Sequence, residues 1–319
     1  MRLTITDLDH ESHDIEKEIC ANEGVELTFL DGDRGAGLDP RAKGTDAIVA
    51  QYATIDAEVM DFLLPELKVI GRYGVGLDTV DLAAAEERGI TVVNVPDFGT
   101  HSVSDHAIAL AVSLVRNLPG LEKVARASSA DVAKAAPIRQ FRNQTFGLIG
   151  FGLIGRATAE KARGLGFKVI AYDALMAPGT EIDGFTTTTL EEVLANSDVL
   201  SLHVPLLEST KHLINDETIA TMKDGAILVN TARGGVVDTA AVHRAIASGK
   251  LLGAGLDVLE TEPLDPSDPI ASCERVIITP HAAFYSEESY AELKRRTVQN
   301  PIDVLKGRKC ENIVIPRVK

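Results

Sequence analysis

Arg233, Glu262 and His281 are spread along the second half of the chain, and each follows the carboxyl end of a predicted β-strand. Brought together, a guanidinium, a carboxylate and an imidazole could assist hydride transfer to a ketone that carries a carboxylate. The guanidinium grips a carboxylate through two hydrogen bonds and stays charged at any working pH. Imidazole titrates near neutrality, so it can give a proton to a developing alkoxide. A carboxylate on its second nitrogen fixes the tautomer and favours the protonated ring. Taken singly, Arg233 reads as a surface cation, Glu262 before Pro263 as loop decoration, and His281 after Pro280 as a turn residue. Their joint occurrence at three successive strand ends, where open α/β sheets place their ligands, favours the chemical reading.

The hydride source is encoded upstream. An apolar strand at Phe146–Ile149 runs into Gly150-Phe151-Gly152-Leu153-Ile154-Gly155 and then into a helical segment. In such a G-x-G-x-x-G run Gly150 allows the tight turn, Gly152 lets backbone approach a pyrophosphate, and Gly155 lets helix and strand pack closely. The helix that Leu153 and Ile154 open offers free N–H groups and a positive dipole end to the phosphates. Asp173 ends the next strand, roughly 20 residues past the last glycine, where a carboxylate binds the adenosine ribose diol. A carboxylate there repels a 2′-phosphate, and Ala174 and Leu175 supply no cation to receive one. The cofactor expected is therefore NAD.

The elements that must position these groups alternate along the chain. Strands are expected over 2–6, 25–29, 47–50, 68–71 and 91–95, with helices around Ile15 and Ile19, over 56–63 and over 79–87. That makes an open parallel sheet of flavodoxin type, after which a helix over 103–115 carries the chain away. From Phe146 a second series begins, with strands over 146–149, 168–172, 198–202, 226–229, 253–257 and 276–278. Its helices lie near 153–164, 190–195, 216–222 and 239–248. The final helix, 287–305, should pack back on the first domain. The fold class is α/β: two Rossmann-like or flavodoxin-like open parallel-sheet domains with a cleft between them. Residues 1–98 and 288–319 form the substrate-binding domain and 99–287 the NAD-binding domain, with closure about residues 99 and 287 excluding water. Segment 119–145 is polar and irregular, either a mobile excursion or an arm that wraps a partner subunit.

Bulk properties narrow the function classes. A net charge of −15 argues against nucleic acid or an anionic membrane as partner, since both require clustered cations. No run of apolar residues reaches membrane-spanning length, and the N-terminus reads as a first strand and not as a signal peptide. Cys20, Cys273 and Cys310 are scattered without a C-x-x-C, which points to thiols in a reducing cytoplasm and to no metal site. His10, His13, His101, His106, His212 and His243 lack a chemical context and read as structural or solvent-facing.

Linked motifs over nearly the whole chain resemble the NAD-dependent D-2-hydroxyacid dehydrogenase family. They are Val69–Asp78 (VIGRYGVGLD), Val93-Asn94-Val95-Pro96, the glycine fingerprint, Leu202–Leu206 (LHVPL) with Thr210, and the Arg, Glu and His segments. The resemblance implies that Arg233 binds the substrate carboxylate and carbonyl, that His281 is the acid/base and that Glu262 supports it. It implies that the Val75 and Gly76 backbone amides meet the substrate carboxylate, and that Asp257 lies near the nicotinamide carboxamide. His203, Val204, Pro205, Thr231 and Ala232 would line the cofactor, and the assembly would be a homodimer. The segment Pro280–Glu288 looks most like the subgroup related to C-terminal binding protein corepressors, and the chain is also similar to phosphoglycerate dehydrogenases. Two departures argue against a phosphorylated substrate. Val49-Ala50-Gln51-Tyr52 lacks the arginine that phosphoglycerate-type members carry after the third strand, and the chain ends soon after its last helix. Tyr52 and Gln51 suggest a neutral, hydrogen-bonding pocket wall. The substrate expected is a small 2-oxo or 2-hydroxy acid. The alternatives are an NAD-sensing corepressor-like binding protein and a phosphite- or phosphonate-type dehydrogenase built on the same three residues.

Overall fold

Strands buried on both faces need apolar residues at every position, with neighbours facing opposite layers of helix. The computed structural model, which describes residues 1–7, 12–30 and 38–315, bears this out twice. His10 lies outside the described residues. The chain divides into two compact units, Met1–Gly99 with Ser286–Lys319, and Thr100–Tyr285.

The first unit opens with β1 (Arg2–Ile5), α1 (Asp14–Asn22), β2 (Glu26–Phe29), β3 (Ala47–Ala50), α2 (Ala57–Leu63), β4 (Val69–Arg72), α3 (Leu82–Glu87) and β5 (Thr91–Val93). The strands run parallel in the order β2-β1-β3-β4-β5. Asp56 and Asp81 cap α2 and α3 by accepting the N–H groups of Val59 and Ala84. The cap explains why α3 starts at Leu82 and not at Thr79. Ile48, Ala50, Ile70 and Val92 face α2 and α3 on one side of the sheet. Their neighbours Ala47, Val49, Val69 and Val93, with Leu3 and Ile5, face the other side, where Cys20 of α1 packs.

The second unit contains α4 (Thr100–Val115), α5 (Leu118–Arg126), β6 (Thr145–Ile149), α6 (Leu153–Gly164), β7 (Lys168–Tyr172), a hairpin of β8 (Glu181–Ile182) and β9 (Phe185–Thr186), α7 (Leu190–Asn196), β10 (Val199–Leu202), α8 (Asp216–Thr221), β11 (Ala226–Asn230), α9 (Thr239–Ala247), β12 (Leu251–Leu256) and β13 (Val276–Ile278). Six parallel strands lie in the order β7-β6-β10-β11-β12-β13. Thr187 adds a parallel bridge to Ala171, the stub of one more strand beyond β7. The same alternation holds. Phe146, Leu148, Val199, Ile227 and Val229 pack against Ala107, Leu110, Ala111 and Leu114 of α4 and Ala159 and Ala162 of α6. Ile149, Leu200, Leu202, Leu228 and Leu256 pack against α7, α8 and α9. The strand order reverses at β6, so the crevice for a ligand opens at the carboxyl ends of β6 and β10.

The chain then returns to the first unit as α10 (Glu287–Leu305) and β14 (Ile313–Ile315). Leu293, Val298 and Ile302 of α10 join the core beside β1, β3 and β4, as the sequence suggested. Three elements depart from expectation. β14 pairs antiparallel with β5 and makes the first sheet six-stranded. The 119–145 segment, read as irregular, carries α5 and two 3-10 turns. The β8–β9 hairpin lies between the expected strand 168–172 and helix 190–195, where no element is expected. No helix among the described residues is long and apolar enough to cross a membrane.

Close approach of α10 to β4 depends on Gly71. A Cβ there would lie 2.9 Å from Pro301 Cγ and 3.0 Å from Val49 Cγ2. Gly71→Ala should therefore destabilise the chain by about 1–3 kcal/mol, read as a fall in the urea midpoint at unchanged slope. A midpoint equal to wild type would refute the packing described.

Candidate active site

The glycine turn at the switch point has three different constraints. Gly150 has φ +94°, and a Cβ on it would sit 2.6 Å from the His203 carbonyl carbon. A Cβ on Gly155 would sit 2.1 Å from the Gly150 oxygen, so only glycine lets α6 close on the turn. Gly152 differs, because a Cβ there would meet nothing within 4 Å. It is the N-cap of α6 and supplies no side-chain acceptor to the first turn, where Leu153 is exposed and Ile154 half-buried. Uncapped N–H groups, a helix dipole and open space above one glycine fit the pyrophosphate of a dinucleotide.

Asp173 follows β7 directly. Its carboxylate accepts the Phe151 N–H inside the turn (2.7 Å) and the Leu175 N–H (2.9 Å), so the end of β7 is tied to the glycine turn. At the end of β10, the His203 N–H donates to the Ile149 carbonyl (2.8 Å). Its ring lies 2.9 Å from the Ser201 hydroxyl, and burial pushes its pKa down to about 4, so it is neutral at working pH. Val204 packs on the core behind it. Thr210 donates to the Pro205 carbonyl (2.6 Å) and accepts the Leu207 N–H (2.7 Å), which closes the 205–210 loop.

Arg233 stands just past β11. Asn230, the last residue of that strand, shapes the turn by donating to the Arg233 carbonyl (2.9 Å) and accepting the Ala232 N–H (3.0 Å). Thr231 between them is buried. Gly234 lets this turn press against the next loop, since a Cβ there would fall 1.9 Å from the Leu259 oxygen. That next loop carries Glu262. Its Oε1 accepts the Leu259 N–H (2.9 Å) and its Oε2 lies 2.8 Å from His281 Nδ1. Burial works to raise the Glu262 pKa. The hydrogen bonds from His281 and Leu259 and the nearby charges of His281 and Arg233 outweigh it, and the carboxyl is held below its ordinary range. An ionised Glu262 can only accept, so Nδ1 carries the hydrogen and Nε2 is left to face a ligand.

His281 adopts φ +54°, a conformation non-glycine residues seldom hold without a compensating partner. Its N–H donates to the Asp257 carbonyl (2.8 Å). The Asp257 carboxylate, 2% exposed, accepts the Ala282 and Ala283 N–H groups (both 2.9 Å) and the Thr279 hydroxyl (2.6 Å). Asp257 was expected at the nicotinamide. The bonds it makes within the chain fix the histidine loop. His106 of α4 extends the network, its Nε2 2.9 Å from the Thr279 hydroxyl. His212 lies 2.6 Å from Glu260 and ties the 205–212 segment to the Glu262 loop. Both histidines were read as lacking context, and nothing local in the sequence marks partners 173 and 48 residues away.

Arg233, Glu262 and His281 thus converge within the second unit. Tyr52, Val75 and Gly76 belong to the first, where Tyr52 is exposed and Asn94 donates to the Val75 carbonyl (2.9 Å). Among the described residues no cluster of His, Cys, Asp and Glu could hold a metal.

The chain is similar to known proteins over most of its length. The family model described as D-isomer specific 2-hydroxyacid dehydrogenase, NAD binding domain, matches residues 108–283. A glyoxylate reductase of Korarchaeum cryptofilum is 38% identical over 279 residues, covering 86% of this chain and 84% of that protein. A D-3-phosphoglycerate dehydrogenase of Archaeoglobus fulgidus is 38% identical over 293 residues, 91% of this chain, which spans only 55% of that longer protein. The crystal structure of the Aquifex aeolicus D-lactate dehydrogenase with NAD and lactic acid superposes with a TM-score of 0.86 at 30% identity, covering 100% of both chains.

The glycines separate binding from folding. Gly152→Ala should fold with wild-type stability yet weaken dinucleotide binding on the order of tenfold or more, because its methyl group enters the phosphate approach. Gly155→Ala should lower thermal stability as well. Equal dinucleotide affinity in folded Gly152→Ala, measured by fluorescence titration, would rule out the turn as the phosphate site.

Proposed function

The chain belongs to the D-isomer specific 2-hydroxyacid dehydrogenase family and uses NAD, and on that footing we propose that it reduces a small, unphosphorylated 2-oxo acid, with glyoxylate the first to test. The observation that carries the reading is the 2.8 Å pairing of His281 Nδ1 with an ionised Glu262 beside Arg233.

Bound NADH supplies the hydride, delivered to C2 of the acid. Arg233 holds the substrate carboxylate and polarises the carbonyl, and the Val75 and Gly76 backbone amides are assigned to substrate binding. His281 gives its Nε2 proton to the oxygen as negative charge develops there. Glu262 keeps the ring in the tautomer and orientation this requires. In the reverse direction the same nitrogen takes the proton back, so one residue serves as acid and base. Asp173 supports NAD over its 2′-phosphorylated form, since its carboxylate would face the phosphate. Gly150, Gly152, Leu153, Ile154, Gly155, His203, Val204, Pro205, Thr210, Thr231, Ala232 and Asp257 are assigned to the cofactor side of the site, some as direct contacts and some as supports.

We further propose a homodimer and a cytoplasmic location. No residue of α5 is buried although Leu118, Leu121 and Val124 recur on it at helical spacing, and Val132 beyond it is exposed. The cysteines form no disulfide.

NADH consumption over a panel of glyoxylate, pyruvate, hydroxypyruvate and phosphohydroxypyruvate tests the function. Glyoxylate should turn over, and Glu262→Gln should lose on the order of 10²–10³ in kcat/KM, with His281→Ala losing at least as much. Wild-type turnover in His281→Ala, or no turnover with any acid, would defeat the proposal. Light scattering should give twice the chain mass, shifting to the monomer in a Leu121→Asp, Val132→Asp double variant; a monomeric wild type would exclude the dimer.

A further inference from the structure

Asp7 stands two residues beyond β1 and is 7% exposed, yet the reaction gives it no part. Three successive backbone N–H groups, those of Gln51, Tyr52 and Ala53, converge on its carboxylate at 3.1, 2.5 and 3.1 Å. The Thr6 hydroxyl adds a donor at 2.6 Å, and little of the residue is left to water. A carboxylate leaves water at this cost only where donors replace its hydration, and here a single loop supplies three of them. That loop follows β3, at the carboxyl edge of a parallel sheet, where ligands of such folds bind. Gln51 is buried, while Tyr52 is 47% exposed.

We propose that Asp7 is a positioning residue for substrate selection. By drawing the amides of residues 51–53 inward, it fixes the loop in the one orientation that presents Tyr52 outward as the wall of the acid pocket. The same bonds have a second consequence. Consecutive amides at a strand end make a nest for an anion, and here the chain's own carboxylate fills it. A phosphoryl group on a substrate finds no amide donors there, and Val49-Ala50-Gln51-Tyr52-Ala53 holds no cation. The loop therefore favours acids with a small neutral substituent. The inference rests on the reading of Tyr52 as part of the 2-oxo acid site.

Steady-state kinetics on the full-length enzyme with glyoxylate and NADH test it. Asp7→Asn keeps the shape but replaces one acceptor oxygen by a donor that faces amide N–H groups. It should raise KM for glyoxylate about tenfold, the worth of one charge-assisted hydrogen bond, with kcat at saturation and KM for NADH little changed. Thr6→Val, which removes only the hydroxyl donor, should move the same constant in the same direction by less, and carries the test if Asp7→Asn does not fold. Tyr52→Ala should raise the same KM. An unchanged glyoxylate KM in a folded Asp7→Asn or Thr6→Val enzyme, while Tyr52→Ala raises it, would overturn the role of Asp7 alone. A parallel rise in KM for NADH would overturn it too, since that marks general loosening. No effect of Tyr52→Ala would remove the pocket wall and the inference with it, whereas a wild type inert toward every 2-oxo acid would instead strike the function itself.

Discussion

Where a parallel strand ends, the backbone beyond it loses its ladder partners, and its N–H groups need new acceptors before a loop can hold one shape. This chain meets that requirement with short Asp and Asn side chains placed at the strand ends. Asp7 beyond β1 takes the amides of residues 51–53. Asp173 beyond β7 takes the Phe151 amide of the glycine turn. Asn230 at the end of β11 shapes the Arg233 turn, and Asp257 beyond β12 takes two amides of the His281 loop. In each case the captured loop carries a group assigned to the reaction. The short side chain matters, because Asp and Asn reach a neighbouring amide with few rotatable bonds to freeze.

His281 shows what such tethering makes possible. A left-handed backbone at a residue with a Cβ costs on the order of 1 kcal/mol or more, and it persists only where its surroundings over-determine it. Here the N–H is held by the Asp257 carbonyl, the next two amides by the Asp257 carboxylate and the ring by Glu262. Strain in the backbone thus becomes direction in the side chain. The imidazole cannot turn to satisfy itself elsewhere, and its free nitrogen keeps one aim. Gly234 extends the arrangement, since the Arg233 turn can lie against the Glu262 loop only where no Cβ intervenes.

Much of this was legible in the sequence. Local rules suffice for the parallel strands and for helices such as Leu153–Gly164 and Glu287–Leu305, because apolar runs and caps are short-range signals. Arg233, Glu262 and His281 were recognisable because each sits just past a strand whose pattern was clear. What escaped notice was either too short or too distant. β14 is three residues long and exists only because the edge of β5 is there to receive it. α5 carries Leu118, Leu121 and Val124 at helical spacing, but Pro119 and Gly120 in its first turn are loop signals that mask it. The roles of Asp7, His106 and His212 depend on partners many tens of residues away, and no local pattern encodes such a pairing.

The two sheets also treat anions in opposite ways. At α6 the N-cap is glycine, which has no side-chain oxygen, so the amides of the first turn stay uncommitted and can serve a diphosphate. At the loop after β3 a comparable set of amides is already spent on Asp7. On the proposed reading of Tyr52, a glycine in one place and an aspartate in the other direct phosphate toward the cofactor side and away from the pocket wall. With a net charge of −15 the chain has no general attraction for anions to fall back on. Under that proposal, discrimination between a phosphorylated cofactor and an unphosphorylated acid needs no cation at the second site. It follows from which backbone donors the sequence leaves uncapped.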